Sequence, residues 1–211
     1  MSPTRTEAGR SREPGSQAAP GGSSALEWLW KYLSDIRHPR FLDCGSVSPS
    51  TIKVLLKRNV KIYVADAVSA LQRSDPGLWK TEGKKLVFDS DRFLKRLPPI
   101  PPASLAVICG WHVLDLIPRE FRSDLVARLF GLLEPGGVLF CVLREPSLTV
   151  GMDTYWWFES LYSLGMAGSG QRPFPYPAVS NREVEQLIPE ASVKTFLTRS
   201  GRREVVILKQ K

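Results

Sequence analysis

The sequence predicts a doubly wound α/β fold, and three observations carry that prediction. Short apolar runs alternate with amphipathic helical patterns from residue 41 to residue 143. The runs are almost continuously apolar, as strands of a mostly parallel sheet covered on both faces must be. The chain then closes on two further apolar runs joined through Arg199-Ser200-Gly201-Arg202-Arg203, which reads as an antiparallel hairpin. Seven strands result, at 41–44, 61–65, 85–88, 105–109, 138–143, 193–198 and 204–208.

Residues 1–24 are rich in Gly, Pro, Ser, Ala and Arg without apolar periodicity. They cannot bury enough surface to offset chain entropy and read as a disordered tail. Order begins at Ser24-Ala25-Leu26-Glu27, which has the form of a capping box. The domain is therefore placed at 25–211. Its first helix, 25–38, carries Leu26, Leu29, Trp30, Leu33 and Ile36 at helical spacing and stops at His38-Pro39. Trp28 and Tyr32 lie off that stripe and are available to the core or to a partner.

Ser50 opens the next helical pattern, with Ile52, Leu55 and Leu56 inward. Residues 67–83 read as helix and then loop, 91–97 as a short helix or turn, and Pro98 to Pro102 as a connector. A helix at 118–133 carries Phe121, Leu125, Leu129 and Leu133 on one stripe, followed by the tight turn Glu134-Pro135-Gly136-Gly137. Residues 145–180 break the alternation with Tyr155-Trp156-Trp157-Phe158, a glycine-rich stretch and Pro173-Phe174-Pro175-Tyr176-Pro177. The Tyr155–Phe158 cluster reads as an amphipathic helix packed on the core. A helix at 181–188 follows, with Ser180 as its cap.

Composition narrows the function classes. No apolar run reaches 18 residues, so no membrane span is expected. Arg5, Arg10 and Arg12 are offset by Glu7 and Glu13, and no apolar h-region precedes a cleavage site, which points to the cytoplasm. Cys44, Cys109 and Cys141 are few and odd in number, as suits a reducing compartment, and read as small core residues. No spacing suggests a metal site. The net charge is +8, and residues 51–96 hold eleven Lys/Arg against five Asp/Glu. That surface suits a solvated face, an anionic substrate or nucleic acid, although no nucleic-acid motif accompanies it.

Three landmarks give the order a likeness. Asp43-Cys44-Gly45 follows a strand, and Asp66 ends the next one. Leu105–Cys109 runs into Gly110-Trp111-His112-Val113-Leu114. Leu132-Leu133-Glu134-Pro135-Gly136-Gly137-Val138-Leu139 turns into the fifth strand. In this the chain resembles the class I S-adenosylmethionine-dependent methyltransferases over about residues 40–210. The resemblance implies a Rossmann-like seven-stranded sheet with a C-terminal antiparallel hairpin, S-adenosylmethionine as cofactor, and a small-molecule or polymeric methyl acceptor. It also departs from the family, whose cofactor loop tends to read D-x-G-x-G-x-G. Here Val47 and Pro49 stand in the second and third glycine places.

Pro49 suits the first position of a helix, with Ser48 as cap. Val47 is β-branched, resists positive φ, and is expected to project near the cofactor path. By the same resemblance Asp43 orders the loop or lies near the cofactor's amino-acid end, while Gly45 and Ser46 offer backbone groups. Asp66 takes the ribose hydroxyls or serves as a turn residue. Asp89, with Asp91 as its rival, meets the adenine or is a plain turn residue. Cys109, Gly110 and Trp111 line the crevice beside the first strand, and Trp111 stacks on a ligand or packs in the core. The insertion at 145–180 would cover the substrate, its aromatic cluster a lid that favours an apolar or planar one. His112, Asp153 and Tyr155 are the side chains able to touch an acceptor, with His112 as a general base or a plain helix-start residue. Two readings stay open: a methyltransferase, or a methyltransferase-like binding or scaffold module that has lost its cofactor. A Rossmann oxidoreductase fits less well, since G-x-G-x-x-G is missing too.

Overall fold

The computed structural model describes residues 21–145, 150–198 and 202–210; segment 1–20, read as tail, lies outside them. The first half contains β1 (Gly21–Gly22), α1 (Ser24–Tyr32), β2 (Arg40–Asp43), α2 (Pro49–Leu56), β3 (Lys61–Val64), α3 (Ala67–Gln72), β4 (Trp79–Glu82), β5 (Lys85–Phe88) and α4 (Ser90–Leu94). The second contains β6 (Leu105–Cys109), α5 (Arg119–Leu132), β7 (Leu133–Leu143), β8 (Tyr155–Ser160), β9 (Ser163–Ala167), α6 (Asn181–Leu187), β10 (Ser192–Leu197) and β11 (Arg203–Leu208).

The main sheet runs β10-β11-β7-β6-β2-β3. Its β3-β2-β6-β7 core is parallel; β11 adds antiparallel to β7, and β10 antiparallel to β11. Strand order reverses between β2 and β6, which opens a crevice at their carboxyl ends. The strands beside it are buried next to the crevice: Phe41, Leu42, Val107 and Ile108 are wholly inaccessible.

The sheet has six strands, not the seven expected. The run 85–88 forms a strand, yet β5 pairs antiparallel with β4 in a separate hairpin, Trp79 opposite Phe88 and Glu82 opposite Lys85. Gly83 turns it with φ +63°, a conformation glycine takes without penalty. A two-residue turn closes far less chain than a crossover. Phe88 then anchors the hairpin through ring contacts with Trp79, Phe93 and Phe121 at 5.6–6.2 Å. The hairpin thus packs beside α4 and α5, and β3 is left as the sheet edge.

The N-terminal boundary also moves. Ser23 rather than Ser24 caps α1, its hydroxyl accepting the Leu26 N–H at 3.0 Å. Gly21 and Gly22, assigned to the tail from sequence, pair with Leu164 and Ser163 of β9. The helix ends at Tyr32 rather than at 38: Leu33 caps it, and tighter turns follow, with the Ser34 and Ile36 N–H groups donating to the carbonyls of Lys31 and Leu33. The first turn of α2 follows expectation: Pro49 opens it and Ser48 accepts the Thr51 N–H. The Pro-Gly-Gly stretch lies inside an extended β7 rather than before it, with an irregular register to β6.

The aromatic cluster is a strand, not a helix. Trp156 and Phe158 are buried while Tyr155 is exposed, the two-residue alternation of β structure. β8 and β9 form a hairpin that β1 extends. A buried ionic cluster ties this layer to the C-terminal strand. Glu204, wholly inaccessible, accepts from Ser23 Oγ at 2.5 Å and from Arg202 Nε at 2.6 Å, and Arg202 also reaches the Gly22 carbonyl.

Candidate functional site

The crevice is built from the loop after β2. Asp43 ends that strand, and its Oδ1 accepts the Gly45 N–H at 2.8 Å and the indole N–H of Trp111 at 2.6 Å. The carboxylate is 2% exposed. Burial pushes its pKa up to about 6, against the pull of those two hydrogen bonds. The loop carbonyls have partners as well. Those of Asp43, Cys44 and Gly45 accept the N–H groups of Ala65, Val68 and Asp66 at 2.9, 2.9 and 3.2 Å. The turn after β3 is thereby stitched onto the turn after β2.

Trp111 covers what remains. It follows β6 with φ +32°, a strained angle for a large side chain. A Cβ placed on Gly45 would lie 2.7 Å from Trp111 Nε1 and 2.8 Å from Cδ1, so the indole sits directly on the glycine. Phe140 and Phe158 meet the indole edge-on at 6.1 and 5.6 Å. Gly110 is packed less tightly but still closely: a Cβ there would lie 3.0 Å from Cys141 Sγ.

The β8 strand straps this plug in place. The Phe158 N–H donates to Thr51 Oγ1, in the first turn of α2, at 3.0 Å. The Trp156 indole N–H donates to His112 Nε2 at 2.8 Å. An indole nitrogen only donates, so Nε2 accepts and the His112 proton is on Nδ1, facing Asp115 Oδ2 at 3.2 Å. Asp115 also accepts the Arg144 N–H at 2.8 Å. Burial raises the Asp115 carboxyl, but the bonds from His112 and Arg144 outweigh it and hold the pKa below the ordinary value. Both ring nitrogens of His112 are engaged, and the ring is 2% exposed.

At the rim, Asp66 adopts a left-handed φ of +47°. Its Oδ1 accepts the hydroxyls of Ser46 at 2.9 Å and Ser69 at 2.5 Å, and the two hydroxyls lie 2.7 Å apart. The remaining candidates bond elsewhere. Asp89 caps α4, accepting the Asp91 and Arg92 N–H groups at 3.0 and 3.1 Å, and Asp91 pairs with Arg128. Asp153 holds Ser169 through its N–H and hydroxyl; the hydroxyl bond leads in lowering its pKa. Tyr155 is 48% exposed and lies 5.5 Å from the Trp157 ring.

Cys109 is wholly buried, and that burial drives its thiol pKa well above the ordinary value. Cys141 is pushed up to about 12 by the same cause, so neither supplies a thiolate at neutral pH. Among the described residues no cluster of three or more His, Cys, Asp or Glu is arranged to hold a metal ion, and no helix is long and apolar enough to cross a membrane.

The structure thus joins Asp43, Gly45, Trp111 and His112 in one buried cluster, backed by Cys109 and Gly110, with Ser46 and Asp66 at its rim. A ligand meeting the Gly45 backbone would need the volume that the indole holds, and the N–H and carbonyl of Gly45 are already bonded. The residues as arranged do not fit S-adenosylmethionine. The obstacle differs from the one expected. Val47 is 65% exposed and avoids positive φ, so its side chain does not plug the crevice. Sequence reasoning missed Trp156, Thr51, Ser69 and Asp115. Ser69 and Asp115 stand three residues after Asp66 and His112, a spacing that signals a local bond on a helical turn.

No family model matches the chain, and no curated protein matches it. Solved structures do. A type 11 methyltransferase from Sulfolobus solfataricus, itself assigned only provisionally, is 15% identical, with a TM-score of 0.50 over 90% of this chain and 94% of that one. SAM-dependent methyltransferases from Archaeoglobus fulgidus and Methanosarcina mazei are 10% and 16% identical, with TM-scores of 0.48 and 0.42. They cover 88% and 84% of this chain and 93% and 95% of their own. Identities this low speak to fold alone. The chain carries the fold of the class I S-adenosylmethionine-dependent methyltransferases, in a six-stranded form whose ligand crevice is filled from within.

Proposed function

We propose that this protein is a methyltransferase-fold binding module that acts through its surfaces, not by methyl transfer. One observation carries the reading: the indole of Trp111 rests on Gly45 and donates to Asp43, in the space where a cofactor would meet the loop. The buried, unpaired cysteines suit the cytoplasm as its compartment.

Calorimetry of the full chain with S-adenosylmethionine and S-adenosylhomocysteine tests the reading. The expected result is no heat of binding at millimolar ligand. Saturable binding of either compound would overturn it. A Trp111→Gly variant, checked for folding by circular dichroism, separates plug from loop: binding regained there places the block in the indole.

A second reading, a working methyltransferase with an unidentified small-molecule or polymeric acceptor, is favoured by the rim. Asp66 accepts two hydroxyls, as a ribose would supply, and these now come from Ser46 and Ser69. Saturable binding of S-adenosylmethionine by the native chain, lost in Asp66→Ala, would decide for it.

A further inference from the structure

We propose that the open edge of β3 is a docking site for an acidic, extended segment of a partner protein. The edge exists because β5 pairs with β4. Among the described residues, β3 has β2 on one side and no strand on the other. Lys61 and Ala65 donate their N–H groups to the carbonyls of Pro39 and Asp43 on the β2 side, at 3.0 and 2.9 Å. Alternate residues of a strand turn their backbone groups to opposite sides, so Ile62 and Val64 present theirs outward. Such an edge is a template for one more strand, with main-chain hydrogen bonds supplying affinity.

Charge selects the occupant. Arg37, Arg40, Lys53, Lys57, Arg58 and Lys61 are all exposed. None is paired in the ion pairs of the described residues. Between residues 37 and 65 the sole acid is Asp43, and it is buried. The parallel register sets Arg40 beside Lys61, and Lys57 and Arg58 follow α2 on the way into β3. Lys61 lies over the Tyr63 ring at 5.2 Å and Arg58 over Trp30 at 5.6 Å, contacts that hold both cations at the surface.

A second copy of the chain would bring this basic cluster against itself and be repelled. Duplex nucleic acid would answer the charge but leave the amides of Ile62 and Val64 unpaired. An acidic strand answers both. The basic cluster gathers at the amino end of β3, away from the crevice, so this site does not depend on what the crevice binds.

The test is fluorescence anisotropy of the full chain with a labelled peptide alternating glutamate and valine. Its controls are the same peptide N-methylated at alternate amides, a lysine–valine counterpart, and a DNA duplex of equal charge. We expect saturable binding of the acidic peptide and none of the lysine peptide. N-methylation should weaken binding roughly tenfold or more, the loss of about one good hydrogen bond. The Arg40→Glu/Lys61→Glu double variant should weaken it at least as much. Amide exchange at Ile62 and Val64 should slow when the peptide binds. Three results would overturn the proposal: no binding at millimolar peptide, equal binding of the N-methylated form, or tighter binding of the duplex.

Discussion

Replacing Asp43 with Asn should abolish a fall in stability between about pH 4 and pH 7. The carboxyl is 2% exposed, and burial sets its native pKa at about 6 against an ordinary value of 3.8. Between those values the native protein holds a proton that the unfolded chain has released. The contribution is therefore complete below the unfolded pKa and is lost as pH rises through the native one. At roughly 1.4 kcal/mol per pH unit, the gap is worth about 3 kcal/mol. The Asn amide oxygen can still accept from Trp111 and Gly45, so the neutral forms are near-equivalent. Urea unfolding of both proteins across the window measures the difference. We expect the Asp43→Asn variant to match the native chain near pH 4 and to exceed it by about 3 kcal/mol near pH 7. Asp115, whose pKa is lowered, loses its contribution as pH falls below that window, and it does so in both proteins. Curves that stay a constant distance apart would show that Asp43 remains solvated, and the closed crevice would fall with it.

Three further outcomes follow from the same packing. Gly45→Ala drives a methyl to 2.7 Å from Trp111 Nε1 and should cost about 1–3 kcal/mol by urea unfolding, whereas an open crevice would absorb it at nearly no cost. Trp156→Phe leaves His112 Nε2 without its donor and should cost about 1–3 kcal/mol, with His112→Phe added on top recovering part of the loss. Glu204→Gln uncouples a buried charge from Arg202 and weakens the Ser23 contact, for about 3 kcal/mol. In a chain of this size that is a fall of roughly 6–12 °C in Tm by calorimetry, and an unchanged Tm would deny the cluster its role.

What the sequence revealed was what local chemistry decides. Leu105–Cys109 and Val138 to Leu143 are unbroken apolar runs, and runs that short between helical patterns have few places to go but a buried parallel sheet. Ser48-Pro49 named its own helix start, because cap and ring act within three residues. Where two local solutions were close, the sequence chose poorly. Ser23 and Ser24 both precede α1, and Glu27 completed a capping box with the wrong one. Tyr155, Trp156, Trp157 and Phe158 are aromatic on both faces, so neither a period of 2 nor one of 3.6 stands out. β4 ends in Thr81-Glu82 and turns through Gly83-Lys84, polar enough to pass for loop. The site itself was beyond local signals. Trp111 and Asp43 are 68 residues apart, and Ser23 and Glu204 are 181 apart.

The missing glycines and the filled crevice belong to one arrangement. A loop that bends sharply under a ligand needs glycine where φ is positive. Here Val47 and Pro49 avoid positive φ, and the left-handed residues are instead Asp66 and Trp111, on the turns that close over the loop. Left-handed non-glycine residues cost about 1–3 kcal/mol each and persist only where their surroundings hold them. Both are held. Asp66 is fixed by Ser46 and Ser69, and Trp111 by Asp43, Phe140 and Phe158. A ligand entering this crevice would have to lift the indole, strip a buried carboxylate of a hydrogen bond, and part β8 from α2. Asp43, the Gly45 backbone, Asp66 and His112 already have partners within the chain, so binding through them would have to exceed those contacts before it gained anything. Restoring glycine at position 47 alone therefore changes little, because the side chain there already points to solvent.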